Sequence, residues 1–197
     1  MFNNFAKINQ DAYLFVKENN YNFTNVDWFH IFLIRKNIEN FLTYCNFKDN
    51  EQNFQVLNIG CGEVDFKNYF HKNTRYDTLD INPRIQATYT ADITNTNNQI
   101  LKDLYDVVLC IEVLEHVTNP FLAIKEIHRI VKPQGNLVLS VPFNFRIHEE
   151  SEFFRYTANG LKLLLKDYFI INEFVVQSDP HRGDLMPLGY ILKATKQ

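Results

Sequence analysis

The chain has 197 residues, 46% of them hydrophobic, and a formal net charge of -3. That is apolar material for one sizeable core and too little chain for a second full domain. The charge excludes a general attraction to nucleic-acid phosphates or anionic lipid, and no stretch approaches the roughly 20 apolar residues that cross a bilayer.

Residues 1–50 are aromatic-rich and free of Gly and Pro. The start, "MFNNFAKINQDAYLF", lacks the basic opening and unbroken apolar core of a signal peptide. Cys45, Cys61 and Cys110 form no CxxC, so a disulfide framework is not expected and a reducing cytoplasm is the natural compartment. Asp27 is placed to cap a helix running to about Cys45, with Ile31, Ile34, Ile38, Phe41 and Cys45 on one face. We read 1–50 as a helical extension packed on a main domain, 51–197, with the polar stretch 46–53 as the linker.

From residue 54 the pattern alternates. "QVLNI" reads as a strand and "EVDFKNYF" as a short helix. "YDTLDI" and "ATYTADI" are the second and third strands, joined by a loop because Ile81 to Ala87 leaves no room for a helix. "YDVVLCIEV" is a fourth strand, apolar enough for burial on both faces. "NPFLAIKEIHRIVK" is an amphipathic helix whose Phe121, Ile124, Ile127, Ile130 and Val131 share a face. "NLVLSVP" is a fifth strand, entered through Pro133-Gln134-Gly135, and "TANGLKLLLKDY" is a helix that Thr157 is placed to cap. "FIINEFVVQ" and "GYILKATK" close the chain as two strands with no helix-length segment between them, hence an antiparallel hairpin. The fold class is therefore α/β: a doubly wound, mostly parallel, seven-stranded sheet with a terminal antiparallel hairpin.

In such a sheet, ligands collect beyond the carboxyl ends of the strands. The turn after the first strand is Gly60-Cys61-Gly62, where missing side chains let a ligand approach the backbone. Asp80 ends the second strand about 20 residues on, where a carboxylate can accept both hydroxyls of a ribose. Asp92 follows the third strand and can hold an exocyclic amine, or serve as a turn residue. A nicotinamide fingerprint would place a third glycine at position 65, which is Asp65.

"VLNIGCGEVDF", "YDTLDINP", "ADI", "YDVVLCIEVLEHVTNP" and "EIHRIVKPQGNLVLSVPF", in that order and spacing, resemble the class I S-adenosylmethionine-dependent methyltransferases, in particular their type 11 branch. The likeness spans roughly residues 54 to 176. It implies a Rossmann-like fold, S-adenosylmethionine as cofactor, and cofactor contacts from Asn58, Gly60, Cys61, Gly62, Asp80, Ile81, Asp92, Ile93, Cys110 and Ile111. Family members commonly carry an acidic residue where this chain has Asn58 and a third glycine where it has Val64. Asn58 retains a polar group able to order the loop or reach the methionyl amine. Val64 is expected at the start of a helix, pointing into the fold.

Methyl transfer to a hydroxyl or amine is largely positioning plus removal of one proton. The candidates lie after the fourth and fifth strands. Glu112 and His116 share a face if their turn is helical. They read equally as acceptor-site residues and as turn residues, whereas Glu115 reads as a turn residue. The long, aromatic, charged segment 141–157 offers His148, the better functional candidate, together with Arg155 and Tyr156 as substrate contacts. Arg155 also suits a salt bridge. His181, Asp179 and Asp184 make no recognisable metal set. The Asn/Asp-Pro-Pro-aromatic run of nucleic-acid amino-methyltransferases is replaced by "CIEV", and no basic stripe is present. The expected function is methyl transfer to oxygen or nitrogen of a small-molecule or sugar acceptor, a surface-glycan precursor among them, with no nucleic-acid or membrane partner. The competing expectation is a non-catalytic binding or regulatory protein of the same fold with a degenerate cofactor loop.

Overall fold

The computed structural model describes residues 10, 11, 14, 26–49, 53–145, 150–178 and 187–197. Helix α1 spans Val26–Cys45. Asp27, expected at its cap, lies within the helix. Leu33, Phe41 and Leu42 on α1 are fully buried. Each such side chain contributes about 1.5–3 kcal/mol, so tertiary burial rather than propensity holds the helix.

Seven strands follow: β1 (Gln55–Ile59), β2 (Arg75–Asp80), β3 (Tyr89–Thr90), β4 (Tyr105–Ile111), β5 (Val131–Pro142), β6 (Phe169–Gln177) and β7 (Gly189–Lys196). They form one sheet in the order β3-β2-β1-β4-β5-β7-β6. The pairs β1–β2, β1–β4, β2–β3 and β4–β5 are parallel, and β7 runs antiparallel to both β5 and β6. This is the expected Rossmann-like sheet with its terminal hairpin. The strand order reverses between β1 and β4, which opens a crevice beyond their carboxyl ends.

Alternation along the buried strands splits the core into two layers. On one face Leu57, Ile59, Val108, Cys110, Leu137 and Leu139 pack with helices α2 (Pro120–Ile130) and α3 (Ala158–Leu165). On the other, Val56, Val107, Leu109, Val138 and Ile191 pack with α1. The stripe of α2 is Ala123, Ile124, Ile127 and Ile130; Phe121, expected on that face, is 62% exposed in the first turn. The Thr157 hydroxyl accepts from the Gly160 N–H at 3.1 Å and caps α3 as its position suggested. Among the described residues no helix is long and apolar enough to cross a membrane.

The helix expected after β1 does not form. That crossover holds only a 3-10 turn, Lys67–Tyr69. Phe70 stacks on Phe47 at 5.3 Å and lies 6.0 Å from the Tyr76 ring, while Phe66 is also buried. Burying these aromatics against the end of α1 and β2 overrides the helical spacing of the segment. The β2–β3 crossover is a loop with one 3-10 turn, Pro83–Ile85, as its length requires.

Candidate active site

The loop after β1 is held by β2 rather than by a following helix. Gly60 N–H and Cys61 N–H both donate to the Leu79 carbonyl, at 2.7 and 3.3 Å. Gly62 N–H donates to Asp80 Oδ2 at 2.9 Å, and Asn82 N–H donates to Asp80 Oδ1 at 2.8 Å. Gly60 and Gly62 both have positive φ, +60° and +47°. A Cβ on Gly60 would meet Val113 Cγ2 at 2.5 Å, whereas one on Gly62 would enter open space. The first glycine is thus needed for packing and the second borders a void.

That void is a cavity of about 610 Å³, within the range of small-molecule sites. Gly60, Gly62, Asp80, Ile81, Asp92, Ile93, Glu112 and His116 line it. Its chemistry fits S-adenosylmethionine. Each Asp80 oxygen accepts one backbone N–H and retains a lone pair for a ribose hydroxyl. Asp92 Oδ1 accepts from the N–H and the hydroxyl of Thr94, both at 2.8 Å, which fixes the carboxylate at the cavity wall. Sequence reasoning missed Val113, Val117 and Thr118, which complete the wall from the turn after β4. Only the fold brings that turn across from the glycines.

A second cavity, about 440 Å³, lies on the other side of the glycine loop, under α1. Gly60, Gly62, Glu112 and His116 line both cavities. Asn58, Cys61 and Ile111, expected at the cofactor, face this second space instead. Asn58 is buried, and its amide donates to the Val64 carbonyl at 3.3 Å, so it orders the loop as its polarity allowed. Val64 is 40% exposed and lines the second cavity rather than pointing into the core, because the helix that would have turned it inward is absent. Cys110, also expected at the cofactor, is fully buried and lines neither cavity. Strand parity turns it into the core while Glu112, two residues on, emerges beyond the strand end.

Glu112 has a left-handed backbone, φ +54°, which costs a non-glycine residue energy and recurs at functional sites. Its carboxylate Oε1 accepts from the Ser140 hydroxyl at 2.7 Å, and its N–H donates to the Ser140 carbonyl at 3.0 Å. Ser140 was not foreseen; parallel pairing of β4 and β5 sets it opposite Ile111. Glu115 is 1% exposed, and its Oε2 is buried without a hydrogen-bond partner among the described residues. Burial pushes the Glu115 carboxyl well above the ordinary carboxylate range, reinforced by Glu112, and burial likewise raises Glu112. Glu115, read from the sequence as a turn residue, borders the second cavity. His116 lies with Nδ1 3.3 Å from the Ser151 carbonyl, which can only accept, and with Nε2 3.7 Å from Glu115 Oε1.

Residues 150–157 buttress this turn. Phe153 N–H donates to the Glu115 carbonyl at 2.7 Å, and Arg155 pairs with Glu152 at 2.7 Å. Tyr156, expected at the substrate, is buried and donates its hydroxyl to the Leu114 carbonyl at 2.9 Å. Neither Arg155 nor Tyr156 lines either cavity. The Arg155 charge instead favours ionisation of Glu112 and Glu115. His148 lies outside the described residues. Among those described, no cluster of His, Cys, Asp and Glu is arranged to hold a metal ion.

Comparison with known proteins agrees with this fold. A family model described as a methyltransferase domain matches residues 29–166. An uncharacterized protein of Methanocaldococcus jannaschii is 33% identical over 135 residues, 66% of this chain and 60% of that protein. A ubiquinone biosynthesis O-methyltransferase of Rickettsia akari is 31% identical over 98 residues, 44% of this chain and 39% of that protein. The chain thus spans less than two thirds of either relative. In fold, it is similar to the 1,6-didemethyltoxoflavin-N1-methyltransferase of Burkholderia thailandensis with bound 1,6-didemethyltoxoflavin and S-adenosylhomocysteine. That likeness has a TM-score of 0.61 at 15% identity and covers 81% of this chain and 78% of that one. With its family model spanning most of its length, and with a Rossmann-like sheet shared with its structural neighbours, the chain belongs to the class I S-adenosylmethionine-dependent methyltransferase family.

Proposed function

We propose that this protein transfers a methyl group from S-adenosylmethionine to the oxygen or nitrogen of a small-molecule acceptor. The observation that carries the reading is the shared wall: Glu112 and His116 border both the cofactor cavity and the second cavity. A group bound in either space therefore meets the other ligand beside these two side chains. One relative is an O-methyltransferase by name and one structural neighbour an N1-methyltransferase, which supports a heteroatom as the acceptor.

The cofactor, when bound, supplies an electrophilic methyl on a sulfonium sulfur. Gly60 and Gly62 would give it room at the backbone, and Asp80 would hold its ribose. The ionised Glu112 carboxylate would take the O–H or N–H proton of an acceptor bound beside it, while the cofactor's methyl–sulfur bond would break and leave S-adenosylhomocysteine. The Ser140 hydroxyl holds Glu112 in place and favours its charged form. His116, with Nδ1 turned toward the Ser151 carbonyl, is the second group at the junction able to accept that proton.

The test is methyl-labelled cofactor incubated with a panel of phenols, amines and sugars. Labelled product and stoichiometric S-adenosylhomocysteine are expected with wild-type protein, with turnover lost in Glu112→Gln. Tight S-adenosylhomocysteine binding without transfer to any panel member would favour the non-catalytic alternative.

A further inference from the structure

The second cavity has a lopsided chemistry. Its walls are Ile31, Ile34 and Ile38 of α1, Val64 and Phe66 of the loop after β1, and Phe145 after β5. Its acidic and imidazole groups are the neighbours Glu112, Glu115 and His116, of which Glu112 and His116 also border the cofactor cavity. Asn58 is committed to the Val64 carbonyl, and Arg35, on the α1 side, lies 3.3 Å from Glu39. A sugar brings a hydroxyl on almost every carbon. Against these walls most of them would lack partners, at a cost of roughly tenfold in affinity for each one desolvated and unpaired.

Val64 sharpens the point. It occupies the place of the family's third glycine, and no packing in the core explains it, since it is 40% exposed. Its backbone is tied down by Asn58, and its side chain is presented to the cavity. An exposed valine on a fixed loop, facing three isoleucines and two phenylalanines, is an apolar ligand wall left half open.

Resting on the methyltransferase reading, we infer that the acceptor is a compound with an apolar, ring-sized body and one nucleophilic hydroxyl or amine, and that Val64 is a specificity-determining residue for that body. The body would lie between α1 and the glycine loop, and the nucleophile would point to the Glu112–His116 end. Within the expected range of small-molecule and sugar acceptors, this selects the apolar members.

The experiment titrates the full chain, first with S-adenosylhomocysteine and then, when loaded, with 2-naphthol and with methyl glucoside. Saturable 2-naphthol binding is expected, with none for the glucoside. Val64→Asp should weaken 2-naphthol at least about tenfold, because it sets a charge against the apolar body. Val64→Thr, nearly the same shape and the safeguard should the aspartate variant not fold, should weaken it by roughly threefold, about the worth of one buried methyl. Both variants should keep S-adenosylhomocysteine affinity within about twofold, since Val64 does not line the cofactor cavity. Glucoside binding, absence of 2-naphthol binding to the loaded protein, or indifference of 2-naphthol to both substitutions overturns the inference and leaves the methyltransferase reading intact. Failure of S-adenosylhomocysteine to bind at all brings down that reading first.

Discussion

The Ser140 hydroxyl reaches from β5 to the Glu112 carboxylate at 2.7 Å and ties together the two strand ends between which the proposed chemistry takes place. It also bears on the ionisation of the group we assign as proton acceptor. Burial raises the Glu112 carboxyl, and Ser140 opposes that rise by stabilising the charged form; Arg155 helps, and Glu152 resists. Glu112→Gln keeps the shape and removes the basicity. Turnover should fall about 10²–10⁴-fold, the usual weight of a general base, with S-adenosylhomocysteine affinity changed by no more than a few-fold. Equal loss of both in single-turnover and binding measurements would mean that Glu112 only shapes the cavity.

The same bond predicts a pH effect. The ionised acid is the active form, so the rate should rise with pH and reach half its plateau above the ordinary carboxylate range. In Ser140→Ala the hydrogen bond to the ionised form is gone, and the midpoint should move further up. A pH–rate profile on any accepted substrate checks this. A midpoint that moves down contradicts the assignment.

Asp80 joins the loop to the ligand. In Asp80→Ala the Gly62 and Asn82 N–H groups lose their acceptor and the ribose loses its partner. The rise in melting temperature that S-adenosylhomocysteine gives by mass action should largely disappear. Differential scanning fluorimetry with and without that ligand suffices. A full shift in the variant would place the ribose elsewhere.

The two glycines should fail differently. Gly60→Ala drives a Cβ toward Val113 on a left-handed backbone, so its main effect should be a loss of stability. Gly62→Ala meets no neighbour and bears only the left-handed cost of about 1–2 kcal/mol, but its methyl projects into open space. Its larger effect should be on S-adenosylhomocysteine affinity. Melting curves and titrations run side by side separate the two, and identical behaviour would be unexpected.

Glu115 predicts how stability depends on pH. Burial, then Glu112, raises its folded-state pKa above the unfolded value, while Arg155 partly offsets this. A raised carboxyl contributes stability that is fully present below the unfolded value and is lost as pH rises through the folded one. The protein should therefore lose stability steadily as pH rises from the ordinary carboxylate range to about 9. Glu115→Gln should flatten that dependence, with a melting temperature several degrees above wild type near pH 9, at roughly 2–4 °C per kcal/mol for a chain of this size. A parallel drop at every pH would point to lost packing instead.

Much of this was legible in the sequence, and for identifiable reasons. Gly60, Gly62, Asp80, Asp92, Glu112 and His116 sit at strand ends whose positions follow from apolar runs, and the structure brings them to one crevice. The misreadings were of two kinds. Cys110 and Ile111 were expected at the cofactor from the family likeness and Tyr156 at the substrate from its place in segment 141–157, but strand parity and a hydrogen bond to the Leu114 carbonyl decide where they point. The segment after β1 has helical spacing, yet Phe66 and Phe70 are buried in an aromatic cluster that no local rule describes. The part played by α1 in the second cavity was out of reach for the same reason: which face of a helix meets which loop is a tertiary fact.

The short crossover after β1 has one more consequence. Here the Gly60, Cys61 and Gly62 amides are already bonded to β2. Their ordering cost is met when the chain folds, not when the cofactor arrives. These amides should exchange with solvent deuterium on the timescale of the sheet's own opening, even in ligand-free protein. The cofactor cradle is, in effect, an extra rung of the β-ladder.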